Sequence, residues 1–398
     1  MNTVLNYPKN KVLYLVIALL ISFIETTYAQ QKILVAANKT QNYLPLLEEK
    51  KVGLVVNATS VIFKKGGYTH LVDSLRSHQV NIKKIFSPEH GFRTDADAGE
   101  KVQDELDSKT GLPIVSLYGK NRKPSADHLK DLDLLIFDIQ DVGVRFYTYI
   151  ATLQLVMEAC AENDIPLIVL DRPNPNGSYI DGPVLEKEHS SFLGMNEIPL
   201  VYGMTIGEYA MMLQGEKWLR VSADLDLRII PLDGYTHQSS YHLPIKPSPN
   251  LPDDQSIGLY PSLGLFEGTH VNAGRGTSYQ FSRFGASFLD ETYFDFSYTP
   301  QPNKGSKYPK EEGKLCFGRD LSAVEIPKKV NLKWLMEAYE NCVDKNAFFS
   351  TTGFTRHAGT ELLQQQIENG LTEDQIRMSW QKDLNKFKSI RKKYLLYP

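Results

Sequence analysis

Two glutamates beside glycines hold the most chemical potential in this chain. Glu89 stands in Ser87-Pro88-Glu89-His90-Gly91-Phe92, and Glu267 in Phe266-Glu267-Gly268-Thr269-His270. A carboxyl in such a loop can act as a general acid, with His90 or a second carboxylate tuning its pKa. Arg275, in Asn272-Ala273-Gly274-Arg275-Gly276-Thr277, adds a planar cation on a loop whose glycines permit close approach to a ligand. The other polar candidates are Asn57, Arg93, Tyr118, Asp138, Asp141, Arg145, Asp171, Arg172 and Asn174. No Cys/His cluster has metal-ligand spacing and no HExxH is present, so neither a metal nor a cofactor is expected. No serine lies in a Gly-x-Ser-x-Gly elbow, which removes support for a serine hydrolase.

The elements that must position these residues are short apolar runs alternating with amphipathic segments. Strands are expected at 52–56, 82–86, 113–117, 133–137, 165–170 and 226–230. Pro88 should end the second, because it offers no N–H to a ladder and restricts the residue before it. Tyr149, Leu153, Val156, Met157 and Cys160 recur at helical spacing. Thr205 and Glu208 form a capping box for one helix, as do Thr372 and Gln375 for another. Runs that are apolar throughout, alternating with helices, imply a parallel sheet covered on both faces. Asn57, Glu89, Tyr118, Asp138, Asp141, Asp171, Arg172 and Asn174 each come just after a strand. Parallel strands align their carboxyl ends, so these residues are expected to converge on one crevice. No Gly-x-Gly-x-x-Gly follows the first strand, and no dinucleotide is expected.

Residues 1–29 read as an export leader. Lys9 and Lys11 precede an apolar run of about 13 residues, too short to span a bilayer, and Thr27-Tyr28-Ala29 offers a cleavage site. The mature chain is therefore expected to be exported, to the periplasm, with no membrane segment left. The Pro-rich stretch from Leu243 to Pro252 suggests a connector, dividing the chain into 30–245 and 246–398. Residues 301–313, polar and rich in Pro, Gly and Lys, read as a surface loop. The 398 residues carry a formal charge of −3, which gives no electrostatic case for nucleic acid. Three widely spaced cysteines form no disulfide framework, and Cys160 reads as a small buried hydrophobe.

Taken together, the stretches 53–60, 87–93, 138–150, 171–177 with Gly182-Pro183, 203–210, 247–252, 266–277 and 387–397 resemble the exo-β-N-acetylmuramidases, glycoside hydrolase family 171. The resemblance implies an α/β fold, with a Rossmann-like parallel-sheet domain, a smaller C-terminal α+β domain and a cleft between them. It implies release of terminal N-acetylmuramic acid from the non-reducing end of peptidoglycan fragments, with Glu89 as the favoured catalytic residue. One position departs: Tyr202 stands where the family often has His before Gly-Met-Thr.

Glycoside hydrolysis needs an acid for the leaving oxygen and a second group for water or the anomeric carbon. Glu267, Asp138 and Asp141 are the candidates for the second, as is the substrate's own acetamido group. An anionic lactyl ether calls for an arginine fork, with Arg275 first, then Arg145, Arg172 and Arg93. The competing reading is an exported binding protein for muropeptides or amino-sugar acids, without catalysis.

Overall fold

The computed structural model describes residues 32–89, 91–93 and 105–398. The leader, 1–29, and His90 lie outside the described residues. Seven strands form the main sheet: β1 Val52–Val56, β2 Ile82–Ser87, β3 Glu105–Leu106, β4 Pro113–Ser116, β5 Leu134–Asp138, β6 Leu167–Leu170 and β7 Leu227–Ile230. Their order is β7-β6-β5-β1-β2-β4-β3, parallel except for the edge strand β3. The order reverses at β1, which pairs with β2 on one side and β5 on the other, as in a doubly wound sheet.

Side-chain alternation along the strands separates two cores. Val52, Leu54 and Val56 of β1 join Leu134 and Ile136 of β5 and Ile168 and Leu170 of β6 on one face. Val55, Leu135, Phe137, Leu167 and Val169 face the other way, into a core that continues without a break to Leu384 and Phe387 near the C-terminus. The expectation of a sheet covered on both faces holds for this reason. Helices α1 Leu71–Ser77, α2 Ala126–Leu129, α3 Tyr149–Glu162 and α4 Ile206–Gly215 link the strands. Both expected capping boxes form, at Thr205–Glu208 and Thr372–Gln375. Cys160 is buried on α3.

The second half begins with α5 Asp254–Leu263, which passes straight into a 3₁₀ turn, Gly264–Gly268. An antiparallel sheet of β8 Arg283–Ala286, β9 Phe296–Tyr298 and β10 Cys316–Asp320 follows. Then come α6 Lys333–Glu340, α7 Thr351–Ala358, α8 Leu362–Glu368, α9 Glu373–Ser379 and α10 Gln381–Arg391. Apolar residues recur at helical spacing through Ile376, Trp380, Leu384, Phe387, Ile390 and Tyr394; α9 gives way to α10 at Trp380, and the first four of these are buried. Among the described residues no helix is long and apolar enough to cross a membrane.

Candidate active site

The crevice between β1 and β5, where a doubly wound sheet would take a ligand, is filled by the protein itself. Ser60 donates to the Asp138 carbonyl, and the Gln140 N–H donates to Thr59 Oγ1 at 3.0 Å. Asn57 accepts from Thr59 through Oδ1 and donates through Nδ2 to the Tyr149 hydroxyl at 3.0 Å. Arg172 lies across this plug and grips Asp138 bidentately, at 2.6 and 2.8 Å, with both side chains withdrawn from solvent. Asp138 and Arg172 thus neutralise each other inside the sheet edge, and neither is open to a substrate.

The same explanation corrects most of the expected convergence. Asp171, fully buried, accepts from Thr205, Gly207 and Tyr397 and so ties α4 and the C-terminus to β6. Burial raises its carboxyl to about 6, against the pull of those donors. Asn174 donates to the Met204 carbonyl and accepts from the Asn176 N–H. Asp141 is bonded by the Tyr202 hydroxyl and the Gly143 N–H, and burial pushes it up to about 6. Tyr118 is half-buried and is not among the described residues lining the pocket below. At the departing position, Tyr202 is fully buried beside Asp141 and is not among the described residues lining the pocket.

Two of the candidate arginines are braces. Arg93 forks to Asp73 and reaches Asp107, pinning the segment after Glu89 to α1. Arg145 is wholly buried and meets only backbone carbonyls: Pro183 and Ile198 through Nη1, His357 and Ala358 through Nη2, at 2.6 to 3.0 Å. The last two carbonyls end α7, where the helix dipole favours a cation. Burial without a carboxylate partner lowers Arg145 to about 9.

Among the candidate carboxylates of the first half, Glu89 is the one that reaches a pocket, while Asp138, Asp141 and Asp171 are buried. It lines a pocket of about 150 Å³ with the Phe146–Tyr149 segment on one side. Thr148 donates to Glu89 Oε2 and the Tyr149 hydroxyl to its carbonyl, both at 3.3 Å. Gly91, at φ +81°, turns the chain away behind it, a conformation that L side chains rarely adopt.

Most of the remaining wall comes from the second half: Asn250, Tyr260, Glu267, Arg275, Phe281 and His357, with Phe146 packed on both Tyr260 and His357. Glu267 sits in the 3₁₀ turn, pressed against α7 at Gly268, where an added Cβ would fall 2.3 Å from the Phe354 Cα. Its Oε1 accepts from Arg275 Nη1 at 3.0 Å. Burial raises the Glu267 carboxyl, but Arg275, His357 and Lys310 outweigh it and hold the group below the ordinary glutamate value. Burial also lowers the His357 imidazole, so at neutral pH this wall presents a carboxylate, a guanidinium and an uncharged ring.

Residues 301–313 are more than a surface loop. Lys310 donates to the carbonyls of Phe266, Glu267 and Thr269, at 3.0, 2.9 and 2.6 Å, which fixes the turn that carries Glu267. The Gly305 carbonyl accepts from both Arg275 and Asn250. Of the expected site residues, then, Glu89, Glu267 and Arg275 share the pocket. Tyr147, Thr148, Tyr149, Asn250, Tyr260 and His357 were not foreseen there. Among the described residues no three His, Cys, Asp or Glu side chains gather as a metal site.

Comparison with known proteins agrees with this two-part construction. Residues 52–255 match a family model described as exo-beta-N-acetylmuramidase NamZ, N-terminal, and residues 258–397 match its C-terminal counterpart. The chain is 39% identical over 381 residues to the peptidoglycan beta-N-acetylmuramidase NamZ of Bacillus subtilis (strain 168), covering 89% of each chain. Two crystal structures of DUF1343 family proteins from Bacteroides fragilis NCTC 9343 are similar, each over 92% of this chain and 99% of theirs. One has a TM-score of 0.84 at 42% identity, the other 0.77 at 30%.

Proposed function

The chain belongs to the exo-β-N-acetylmuramidase family, and from that membership we propose how its pocket divides the work of glycoside hydrolysis. The protein is a glycosidase acting on peptidoglycan, so the reading as a receptor without catalysis falls away. Glu89 is the general acid that protonates the leaving oxygen. Glu267, kept ionised by Arg275, is the opposing carboxylate that activates water or orients the substrate's acetamido group. Arg275 is also the cation nearest to hand for the lactyl carboxylate, being the one arginine among the described residues lining the pocket. The terminal N-acetylmuramic acid enters from the non-reducing end of peptidoglycan fragments, and the leader supports an exported, periplasmic enzyme of cell-wall turnover.

One observation carries this reading: Glu89 and Glu267 line a single pocket from opposite halves of the chain. Glu89→Gln tests it. Loss of a general acid costs about 10²–10⁴ in rate, so the purified variant should keep its thermal midpoint and lose turnover on a chromogenic N-acetylmuramide. Near-normal turnover would overturn the role. Fractionation of cells expressing the full chain tests the location.

A further inference from the structure

His357 stands in the last turn of α7 with its ring on the pocket wall, 5.5 Å from the Phe146 ring between centroids. Its Nδ1 lies 2.8 Å from the Gly353 carbonyl, one turn back along the helix. A carbonyl only accepts, so Nδ1 carries the ring's proton, and burial keeps the imidazole uncharged at neutral pH. Nε2 is therefore a bare lone pair, able to accept and unable to donate. It has no partner among the described residues, yet it is not sealed from solvent. The helix that carries it is fixed, because Gly268 packs on Phe354 and the last carbonyls of α7 hold Arg145.

Whatever meets Nε2 must donate. That excludes the lactyl group, since an ionised carboxylate only accepts. A terminal N-acetylmuramic acid offers as donors its acetamido N–H and its 4- and 6-hydroxyls. The layout of the pocket chooses among them. Glu89, the acid, belongs beside the bond that breaks at C1, which C2 and its acetamido group adjoin. The Tyr260 hydroxyl is acted on by both Glu267 and Glu89. The charges that weigh most on His357 are Glu267, Lys310 and Arg145, and Glu89 is not among them. His357 thus lies on the side of the pocket away from the acid, and the carbon across a pyranose ring from C1 is C4. We infer that His357 Nε2 accepts the free 4-hydroxyl of the terminal sugar and is a specificity-determining residue for the chain end. This rests on the muramidase reading above. A sugar inside a glycan has its O4 glycosylated and no hydrogen to give there, so the lone pair is left unpaired against it. That missing bond adds to the shape of the pocket in restricting cleavage to the non-reducing terminus.

The test compares a 4-nitrophenyl β-N-acetylmuramide with its 4-deoxy and 6-deoxy counterparts. Intrinsic differences in reactivity among these glycosides are common to all variants, so the quantity read is the change in the hydroxyl-to-deoxy ratio of kcat/KM. His357→Phe keeps a ring and loses the acceptor. It should lower the ratio for the 4-position by about tenfold or more relative to the parent enzyme and leave the ratio for the 6-position where it was. His357→Leu gives the same reading should the phenylalanine prevent folding. A merely structural histidine would lower all the rates together, and an unchanged ratio for the 4-position overturns the inference alone. A change confined to the 6-position moves the acceptor to O6 and overturns it as well. A folded parent enzyme that hydrolyses none of the compounds overturns the muramidase reading, and this inference with it.

Discussion

The Tyr202 hydroxyl donates to Asp141 Oδ2 in a site sealed from water beneath the pocket, with both residues less than 5% exposed. The Gly143 N–H shares the same oxygen at 2.6 Å, while Oδ1 has no partner. Tyr202→Phe removes a hydrogen bond to a charged acceptor that cannot turn to solvent. The expected loss is about 2 kcal/mol of unfolding free energy, read from urea denaturation, with KM little changed. A large rise in KM with unaltered stability would mean that Tyr202 reaches substrate after all.

Two carboxylates set the acid side of the stability profile. Burial raises both Asp141 and Asp171 from the ordinary aspartate value to about 6. A group whose folded pKa is raised contributes stability that is complete below its unfolded value and lost as pH climbs through the folded one. Each of the two should therefore add stability as pH falls from about 6 toward 4, by about 3 kcal/mol at most, while His70, lowered by burial to about 4, and His357, also lowered, subtract from it over the same window. Below that range Asp73 and Asp107, held low by Arg93 against their own burial, reverse the trend. Thermal midpoints at intervals between pH 4.5 and 7.5 check this, using about half-unit steps. The Asp141 share is the difference from Asp141→Asn, over which the parent should gain as pH falls from about 6 to 4.

Tyr149 links Asn57 to Glu89, accepting from the Asn57 amide and donating to the Glu89 carbonyl. Tyr149→Phe leaves the ring in place and frees the backbone of the acid. Turnover should fall by about 3- to 30-fold with KM nearly constant, since a small misplacement of a catalytic group costs rate more than binding. Steady-state kinetics of this variant and of Asn57→Ala should agree, because both cut one chain of bonds. A drop in only one of the two would break the proposed linkage.

Arg275 spans two acceptors, Glu267 and the Gly305 carbonyl. Lysine cannot reproduce that planar span. Arg275→Lys should lower turnover on both sugars by a common factor, through its bond to Glu267, and in addition raise KM for the N-acetylmuramide about tenfold or more, the N-acetylglucosaminide lacking the lactyl carboxylate. Equal rates for the two sugars in the parent enzyme would refute muramic-acid specificity.

Arg145→Met takes the guanidinium donors from four carbonyls in a closed interior, of which Ile198 keeps the Leu185 N–H. A loss of at least about 3 kcal/mol is expected, measured by chemical denaturation. Because two of those carbonyls belong to His357 and Ala358, the pocket wall should loosen along with the fold.

The sheet was legible because its strands are buried on both faces, and continuous apolar runs such as Leu134–Phe137 leave little choice. Glu89 was legible too, since Pro88 and Gly91 mark a strand end and a turn around it. What could not be read was which strand-end residues would be covered. Asp138 is covered by Arg172, Asp141 by Tyr202, and Asp171 by α4 and Tyr397, and the chain order of the three aspartates carries no trace of those partners. Arg145 and Arg172 illustrate the ambiguity: a buried brace and a substrate clamp require the same side chain. Asn250 was hidden by its setting, in a Pro-rich stretch that read as a connector. Its partner, the Gly305 carbonyl, is a backbone atom, which no residue type announces.

The pocket takes Glu89 from early in the chain and Asn250, Glu267, Arg275 and His357 from far later in it. A ribosome builds the chain in that order. A nascent chain therefore holds Glu89 long before it has the carboxylate, the guanidinium or the imidazole that share its pocket. The pocket is incomplete through most of synthesis, and a product truncated before α7 would lack the part that His357 and its helix provide.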